Sequence, residues 1–160
     1  MVLKGTRVVE KVLVCLDGSE LAEQILPHVT DYALCSNSTV LLLQVVHEPV
    51  IVSPGIPGAA PVSLTTGAMR EEAKKAQIRA ESYLEEKAGR LREQGLRVVA
   101  VATLGKAGET ITGYARENNV GLIAMATHGR GGLGRALFGS VADYVLRTSG
   151  LPLLIIRPQE

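Results

Sequence analysis

The stretch THGRGGLGRALFGS, residues 127–140, contains two overlapping glycine patterns that predict different ligands. Gly129, Gly131 and Gly134 spell G-x-G-x-x-G, the fingerprint of many dinucleotide-binding proteins. Gly129, nine further residues and then the pair Gly139–Ser140 form a second pattern, which indicates a different phosphate loop. The choice between the two patterns decides which fold and which ligand to expect.

The dinucleotide interpretation fails on its surroundings. A Rossmann fingerprint opens the first βαβ unit, and an acidic residue about 20 positions later binds the ribose. Here the pattern opens the last unit, and the segment 150–158 contains no carboxylate. NAD and FAD are therefore not indicated. A Walker A loop is not indicated either, because Lys106 in GKAGET is followed by alanine rather than Ser or Thr.

The nine-residue spacing leads into a marked helix start. The letters SVAD at 140–143 predict a capping box, with Ser140 as the N-cap and Asp143 reaching back. Gly139, Ser140 and Val141 would then present free N–H groups at the positive end of a helix, where an anion is stabilised. A flexible connection whose serine only caps its own helix is the alternative that these residues leave open.

The loop before that helix carries one sign of charge. Arg130 and Arg135 are cationic, and no carboxylate occurs between Glu117 and Asp143. Glycine allows the backbone to approach a ligand closely, and the loop has four: Gly129, Gly131, Gly132 and Gly134.

The composition excludes several classes of protein. The chain has 160 residues, 46% of them hydrophobic and 21% charged, and a formal net charge of +1, so no global charge favours nucleic acid or an anionic membrane. With one Phe, four Tyr and no Trp, the chain has too few aromatic side chains to stack on the bases of a single-stranded nucleic acid. No apolar run reaches the ~18 residues of a membrane span or resembles a signal peptide, so we expect a cytoplasmic protein. We interpret Cys15 and Cys35 as buried thiols in a reducing compartment.

Strand-length apolar runs alternate with helical patterns along the chain. The predicted strands are residues 11–17, 38–48, 96–105, 120–128 and 151–158. The predicted helices are residues 19–35, 67–94, 107–119 and 140–150. Near-continuous apolar strands that alternate with helices predict an α/β fold with a parallel sheet.

Three local features refine this prediction. Pro27 should kink the first helix, since proline removes an interior hydrogen bond. Gly95 should follow the end of the long helix, whose predicted buried stripe is Ala73, Ala76, Ala80, Leu84, Ala88 and Leu91. Residues 48–67 have no hydrophobic period and contain four of the seven prolines, so we predict a mobile loop within one domain, 1–160. A functional lid and a variable surface insertion are both compatible with that loop.

The segment MATHGRGGLGRALFGSVADYVLR, residues 125–147, resembles the signature of the universal stress protein family. The ATP-binding branch of that family carries G-x2-G-x9-G-[S/T], followed by a helix and a terminal apolar strand. Gly129 and Gly139–Ser140 match this motif, whereas Ala126 replaces its first glycine. VLVCLDGSELAEQIL, residues 12–26, is similar to the first strand and acidic turn of the family, with Asp17 at the matching position.

The resemblance implies an open parallel sheet of order 3-2-1-4-5 with helices on both faces, a Rossmann-like fold related to the adenine nucleotide alpha hydrolases. It implies ATP, or ADP or AMP, at the point where the strand order reverses, with Mg2+ bridging the phosphates. Adenine and ribose would lie near Leu16, Asp17, Val45, Met125 and Ala126. The phosphates would be held by Gly129, Arg130, Gly139, Ser140 and Val141. Asp17 is open to a second interpretation, as a turn and helix cap within DGSE.

The resemblance also implies a homodimer, because family members commonly pair through the last strand. In this chain the pairing residues would be Leu153, Leu154, Ile155, Ile156 and Arg157. The expected function is that of an ATP-binding regulatory module in the stress response, read by downstream protein partners. Two alternatives stay open: a non-binding branch that acts as an interaction module, and an enzyme of related fold that hydrolyses ATP slowly. No nucleophile–base pair with motif spacing favours the enzyme.

Overall fold

The computed structural model describes residues 9–47, 51–53, 62–64, 66–127 and 139–159. The elements run in this order: β1 (Lys11–Cys15), α1 (Glu20–Glu23), α2 (Leu26–Ser36), β2 (Thr39–Val46), β3 (Ile51–Ser53), β4 (Val62–Leu64), α3 (Gly67–Glu93), β5 (Arg97–Leu104), α4 (Ala107–Glu117), β6 (Leu122–Ala126), α5 (Ser140–Thr148) and β7 (Leu153–Ile156). No helix in these ranges is long and apolar enough to cross a membrane.

Five of the strands form one parallel sheet in the order β5-β2-β1-β6-β7. Counted along the chain without β3 and β4, this is the order 3-2-1-4-5, so the predicted topology is confirmed. Cys15 of β1 pairs with Leu43 of β2 on one side and with Met125 of β6 on the other. The strand order therefore reverses between β1 and β6, where α/β sheets form a crevice for ligands.

The sheet is covered on both faces because its central strands are apolar at consecutive positions. Val12 and Val14 of β1 point into a cluster with α1, α2 and α3, whereas Leu13 points into a second cluster with α4 and α5. All three side chains are fully buried. Side chains alternate between the two faces of a strand, so an unbroken apolar run is what a sheet between two helix layers requires.

The chain between β1 and β2 forms two helices rather than one kinked helix. α1 ends at Glu23 with Gln24 as its C-cap, and Pro27 lies in the first turn of α2. The prediction of a single helix over 19–35 is therefore wrong, although Pro27 does mark the break. Proline lacks an N–H group, so it fits the first turn of a new helix better than the interior of a continuing one. Cys35 of α2 is exposed, contrary to the prediction of two buried thiols, while Cys15 is buried.

The long helix α3 begins and ends close to its predicted bounds. The hydroxyl of Thr66 accepts a hydrogen bond from the amide of Met69 at 3.3 Å, which caps the start. Gly95 follows the end with φ +91°, as predicted for the residue after a helix. Five of the six residues in the predicted stripe are buried, and Ala76 is half-buried.

The predicted mobile loop 48–67 contains regular structure. Its described parts, Ile51–Ser53 and Val62–Leu64, pair as a two-stranded antiparallel sheet, and α3 begins at Gly67. The sequence does not predict these two strands within the loop. Each strand has only three residues, which is too short for alternation to be read from the sequence. Residues 48–50, 54–61 and 65 lie outside the described residues.

Candidate functional site

The described residues predicted to bind a nucleotide lie at the carboxyl ends of β2, β1 and β6 and at the start of α5. Ala126 is the last residue of β6, and Leu16 directly follows β1. The amide of Leu16 donates to the carbonyl of Leu43 at 3.0 Å, so β1 and β2 stay paired up to this edge. Val45, near the end of β2, is half-buried against the α4–α5 side of the sheet, as is Val141 of α5.

Thr127 connects the end of β6 to the start of α5. Its carbonyl oxygen accepts a hydrogen bond from the amide of Gly139 at 2.7 Å, and its own amide donates to the carbonyl of Ile156 at 2.9 Å. Thr127 is buried. One peptide segment therefore holds the strand end, the helix start and the end of β7 together. Thr127 is not among the predicted site residues, because only its place between an apolar strand and a glycine-rich segment marks it in the sequence.

Gly139, not Ser140, is the N-cap of α5. Gly139 has extended backbone angles, φ −66° and ψ 158°, and Ser140 is the first helical residue. The carboxylate of Asp143 accepts from Nε of Arg147 at 2.9 and 3.0 Å instead of reaching back to the cap. The predicted capping box is therefore wrong. An arginine four residues later competes successfully for the carboxylate of Asp143.

The start of α5 keeps the features expected of an anion site. A glycine N-cap has no side chain to accept the first helical N–H groups, and within the described residues no side-chain bond caps this helix. The amide of Gly139 itself is used by Thr127, contrary to the prediction that it is free. The N–H groups that would face an anion here are therefore those of Ser140, which is exposed, and Val141.

Asp17 lies in a tight turn directly after β1. Its Oδ1 accepts from the amide of Ser19 at 3.0 Å and from the hydroxyl of Ser19 at 2.6 Å. Ser19, rather than Asp17, is the N-cap of α1, because its oxygen accepts from the amide of Ala22 at 3.1 Å. In the DGSE segment, Asp17 therefore stabilises the turn and Ser19 caps α1. Gly18 in this turn has φ +81°, a conformation that favours glycine.

Two of the predicted contact residues are part of the hydrophobic core. The side chains of Leu16 and Met125 are 5% and 4% exposed and pack into the two apolar clusters. Any contact that these two residues make with a ligand would therefore come from the backbone. Gly129 and Arg130 lie outside the described residues.

α1, which carries the Asp17 turn, is anchored to α3 through Glu23. One carboxylate oxygen of Glu23 accepts from the hydroxyl of Tyr83 at 3.0 Å, and the other accepts from Nζ of Lys87 at 2.8 Å. Burial raises the pKa of Tyr83 above its usual value, and the hydrogen bond to Glu23 raises it further. Lys87 also lies 5.3 Å from the centre of the Tyr83 ring. No sequence motif marks this cluster, because Glu23 and Tyr83 are 60 residues apart.

The two edges of the sheet differ. On β5, the guanidinium of Arg92 donates to the carbonyl of Val98 at 2.9 and 3.2 Å, and Nε2 of Gln77 donates to the carbonyl of Ala102 at 3.0 Å. Side chains of α3 therefore cover that edge. β7 is apolar and half-buried along its length, and within the described residues it pairs only with β6. An uncovered apolar edge is a surface on which another strand pairs.

The described residues contain no group of three or more His, Cys, Asp or Glu side chains arranged to hold a metal ion. Oxygen atoms of bound phosphates and water commonly supply most of the ligands of Mg2+ in nucleotide sites.

Comparison with known proteins agrees with this architecture. Universal stress protein MJ0577 of Methanocaldococcus jannaschii is 29% identical over 153 residues, which cover 92% of this chain and 94% of the relative. Universal stress protein YxiE of Bacillus subtilis is 28% identical over 148 residues, which cover 92% of this chain and 98% of the relative.

Solved structures show the same fold. The structure of MJ0577 matches with a TM-score of 0.71 at 24% identity, covering 96% of this chain and 99% of that one. A universal stress protein in complex with cAMP matches with a TM-score of 0.64 at 20% identity, covering 94% and 98% of the two chains. The family model described as "Universal stress protein family" matches residues 9–157. The chain therefore belongs to the universal stress protein family.

Proposed function

We propose that this chain is a nucleotide-dependent regulatory module that binds ATP with Mg2+ at the carboxyl ends of β1 and β6. The phosphates would lie at the start of α5, and the adenosine would lie between the Asp17 turn and the end of β2. Proteins that read the nucleotide state would be its downstream partners, in the cytoplasm.

The observation that carries the proposal is the close approach of Gly139 to Thr127. A Cβ atom at Gly139 would lie 2.6 Å from the carbonyl oxygen of Thr127, a distance that real Cβ atoms do not adopt. Only glycine therefore permits this junction of strand and helix. The junction places the N–H groups of Ser140 and Val141 at the edge of the sheet where the strand order reverses.

The Asp17 turn supplies the second half of the proposed site. It follows the strand next to β6, and its carboxylate is held in place by both donors of Ser19. A carboxylate at the end of the first strand is suited to accept hydrogen bonds from ribose hydroxyls. Ala126, at the position of the first glycine of the motif, adds one methyl group at the end of β6.

An adenine nucleotide is favoured over other phosphates because a family member of the same fold was solved in complex with cAMP. ADP and AMP share the adenine and phosphate groups on which the proposal rests. When bound, Mg2+ would neutralise charge on the phosphates and would be held mainly by phosphate oxygens and water.

We further propose a homodimer through β7 and the residue after it, Leu153–Arg157. The carbonyl of Pro152 accepts a hydrogen bond from Ile123 of β6, and the carbonyl of Ile156 accepts one from Thr127, which directly follows β6. Peptide groups alternate in direction along a strand, so those of Leu153 and Ile155 point to the open edge. Two copies would pair there about a two-fold axis.

A calorimetric titration with Mg-ATP, after removal of carried-over nucleotide, tests the nucleotide site. We expect saturable binding, and we expect NAD to give none. ADP, AMP and cAMP, titrated in parallel, establish how much the terminal phosphates contribute. Absence of heat with every adenine nucleotide, together with an unchanged melting temperature, would overturn the proposal and leave a non-binding interaction module.

Sedimentation of the variant Ile155→Pro tests the dimer. Proline removes an N–H group on the open edge without removing a bond to β6, and edge strands tolerate it there. We expect a folded monomer. A wild-type protein that sediments as a monomer at all concentrations would contradict the proposed dimer.

A further inference from the structure

Gln24 joins α1 to the segment that follows β7. Its Nε2 donates to the carbonyl oxygen of Gln159 at 2.7 Å, and its Oε1 accepts from the amide of Gln159 at 2.9 Å. Both backbone groups of one residue are thus paired with one carboxamide. The two residues are 135 positions apart, so tertiary structure alone creates this contact.

The other end of α1 lies at the Asp17 turn. α1 has four residues and is therefore about 6 Å long, with Ser19 as its N-cap and Gln24 as its C-cap. Asp17 is bonded to Ser19 at one end of this short helix, and Glu23 is bonded to α3 near the other end. The helix therefore holds the Gln24 carboxamide at a fixed position relative to the Asp17 turn.

The segment after β7 is also joined to the opposite side of the proposed site. Ile156, three residues before Gln159, accepts a hydrogen bond from the amide of Thr127, whose carbonyl holds Gly139. The end of β7 and the residues that follow it thus connect to both halves of the proposed site, through Thr127 on one side and through Gln24 on the other.

We infer that Gln24 is a positioning residue that couples nucleotide occupancy to pairing of a second copy of this chain at the open edge of β7. This inference rests on the proposed function. The two hydrogen bonds between Gln24 and Gln159 are exposed, and each contributes little net free energy. A docked state of residues 157–159, in which Gln159 is bonded to Gln24, is therefore close in free energy to an undocked state in which it is not. A nucleotide that holds the Asp17 turn favours the docked state, in which β7 presents an ordered edge.

Coupling of this kind is reciprocal. If the nucleotide strengthens the dimer by some factor, the dimer strengthens nucleotide binding by the same factor. The coupling depends on the differential stability of the docked segment and not on any direct contact between nucleotide and partner.

Sedimentation equilibrium with and without saturating Mg-ATP measures the coupling. For the wild type we expect Mg-ATP to lower the dimer dissociation constant by about five-fold, the lower end of typical allosteric couplings. Gln24→Ala should bind Mg-ATP and form the dimer, but the ratio of dimer dissociation constants with and without nucleotide should fall to about one. Gln24→Glu, which keeps the acceptor and loses the donor, should give an intermediate ratio.

Gln94→Ala is the matched control. Gln94 is an exposed glutamine at the end of α3, so its loss should leave the wild-type ratio. As a second readout, NMR-detected hydrogen exchange of the Gln159 amide should slow when Mg-ATP binds to the wild type and should not respond in Gln24→Ala.

The outcomes separate the two proposals. If Mg-ATP binds but changes neither the dimer dissociation constant nor Gln159 exchange, the coupling is refuted and the proposed function stands. If Gln24→Ala keeps the wild-type ratio of dimer dissociation constants with and without nucleotide, the coupling through Gln24 is also refuted. If Mg-ATP does not bind at all, the proposed function fails, and the coupling fails with it.

Discussion

The amide of Gly139 donates a 2.7 Å hydrogen bond to the carbonyl oxygen of Thr127, and a Cβ at Gly139 would lie 2.6 Å from that same oxygen. Gly139 therefore lies against the residue that follows β6, at the point where α5 begins. The contact determines where the N-terminus of α5 points, and it accepts no side chain larger than hydrogen at this position.

Gly139→Ala should weaken the binding of Mg-ATP by at least about ten-fold. The added methyl group forces the start of α5 away from Thr127, and an energetic loss of about 1.4 kcal/mol at the phosphates corresponds to that factor. Calorimetry gives the affinity. Gly89→Ala is the control, since a Cβ at Gly89 meets nothing within 4 Å and the variant should bind normally. Equal affinity in both variants would show that the junction does not position the phosphates.

Lys87→Met should lower the free energy of unfolding by about 1–3 kcal/mol, because Glu23 would keep its charge and lose a well-buried partner. The side chains of Lys87 and Glu23 are 13% and 25% exposed. Urea unfolding followed by circular dichroism measures the loss.

The exposed pair of Arg79 and Glu72 gives a matched control for Lys87. Its side chains are 65% and 67% exposed, so Arg79→Met should cost less than about 0.5 kcal/mol. The double variant Glu23→Gln/Lys87→Met should lose less free energy of unfolding than the two single variants lose in total. Strict additivity would mean that the two side chains do not stabilise one another.

Arg92→Ala combined with Gln77→Ala should expose the β5 edge. The carbonyls of Val98 and Ala102 would lose their side-chain donors, and an uncovered edge promotes strand pairing between molecules. We expect concentration-dependent association beyond that of the wild type, measured by light scattering. Arg90→Ala should not associate, since Arg90 bonds only to the exposed Glu86 among the described contacts. A double variant that stays as dispersed as the wild type would show that these donors do not protect the edge.

Stability should fall as the pH rises from about 9 to about 12, partly because of Cys15. Burial raises the pKa of this thiol from its ordinary value of 9.0 to about 12. The unfolded chain ionises Cys15 above pH 9 while the native state keeps it neutral, so the free energy of unfolding falls by up to about 1.4 kcal/mol per pH unit. The contribution is fully present below pH 9.

Cys15→Ala isolates that contribution. The variant loses core packing at every pH, but the difference in stability from the wild type should narrow as the pH rises through this range. Urea titrations at pH 8, 9 and 10 measure it, and a difference that stays constant would contradict the burial of the thiol.

The two cysteines should differ in reactivity towards a thiol reagent at pH 8. Cys35 is exposed and should react at once, whereas buried Cys15 should react only after unfolding. We expect one thiol per chain to react rapidly in the native protein and two to react rapidly in denaturant. Two fast thiols, or none, in the native protein would contradict the described burial.

Much of this fold follows from local patterns. Consecutive apolar residues place β1, β2 and β6 between two helix layers, and Gly95 ends α3 where its φ of +91° requires glycine. These features depend on residues close together in sequence, so periodicity and backbone preference identify them. The strand order is different: it was implied by resemblance to a family, and the described sheet confirms it.

The site could be predicted only in part. Spacing and resemblance predict Asp17, Gly139 and Ser140 as site residues, and these stay predictions. SVAD predicted the wrong cap for α5, because Asp143 can bond either to the start of the helix or to Arg147, and the sequence does not show which bond is favoured. The chain between β1 and β2 is predicted as one helix, because its apolar residues keep their helical spacing across the break between α1 and α2.

The sequence by itself determined the five strands of the parallel sheet and most of the helices, and it predicted a phosphate site near Asp17 and Gly139. Tertiary structure alone decided that Thr127 holds Gly139, that Glu23 meets Tyr83 and Lys87, and that Gln24 pairs with Gln159. Most of these contacts join residues 60 to 135 positions apart. Such contacts form only after the sheet has brought distant segments together, and no local pattern of residues specifies them.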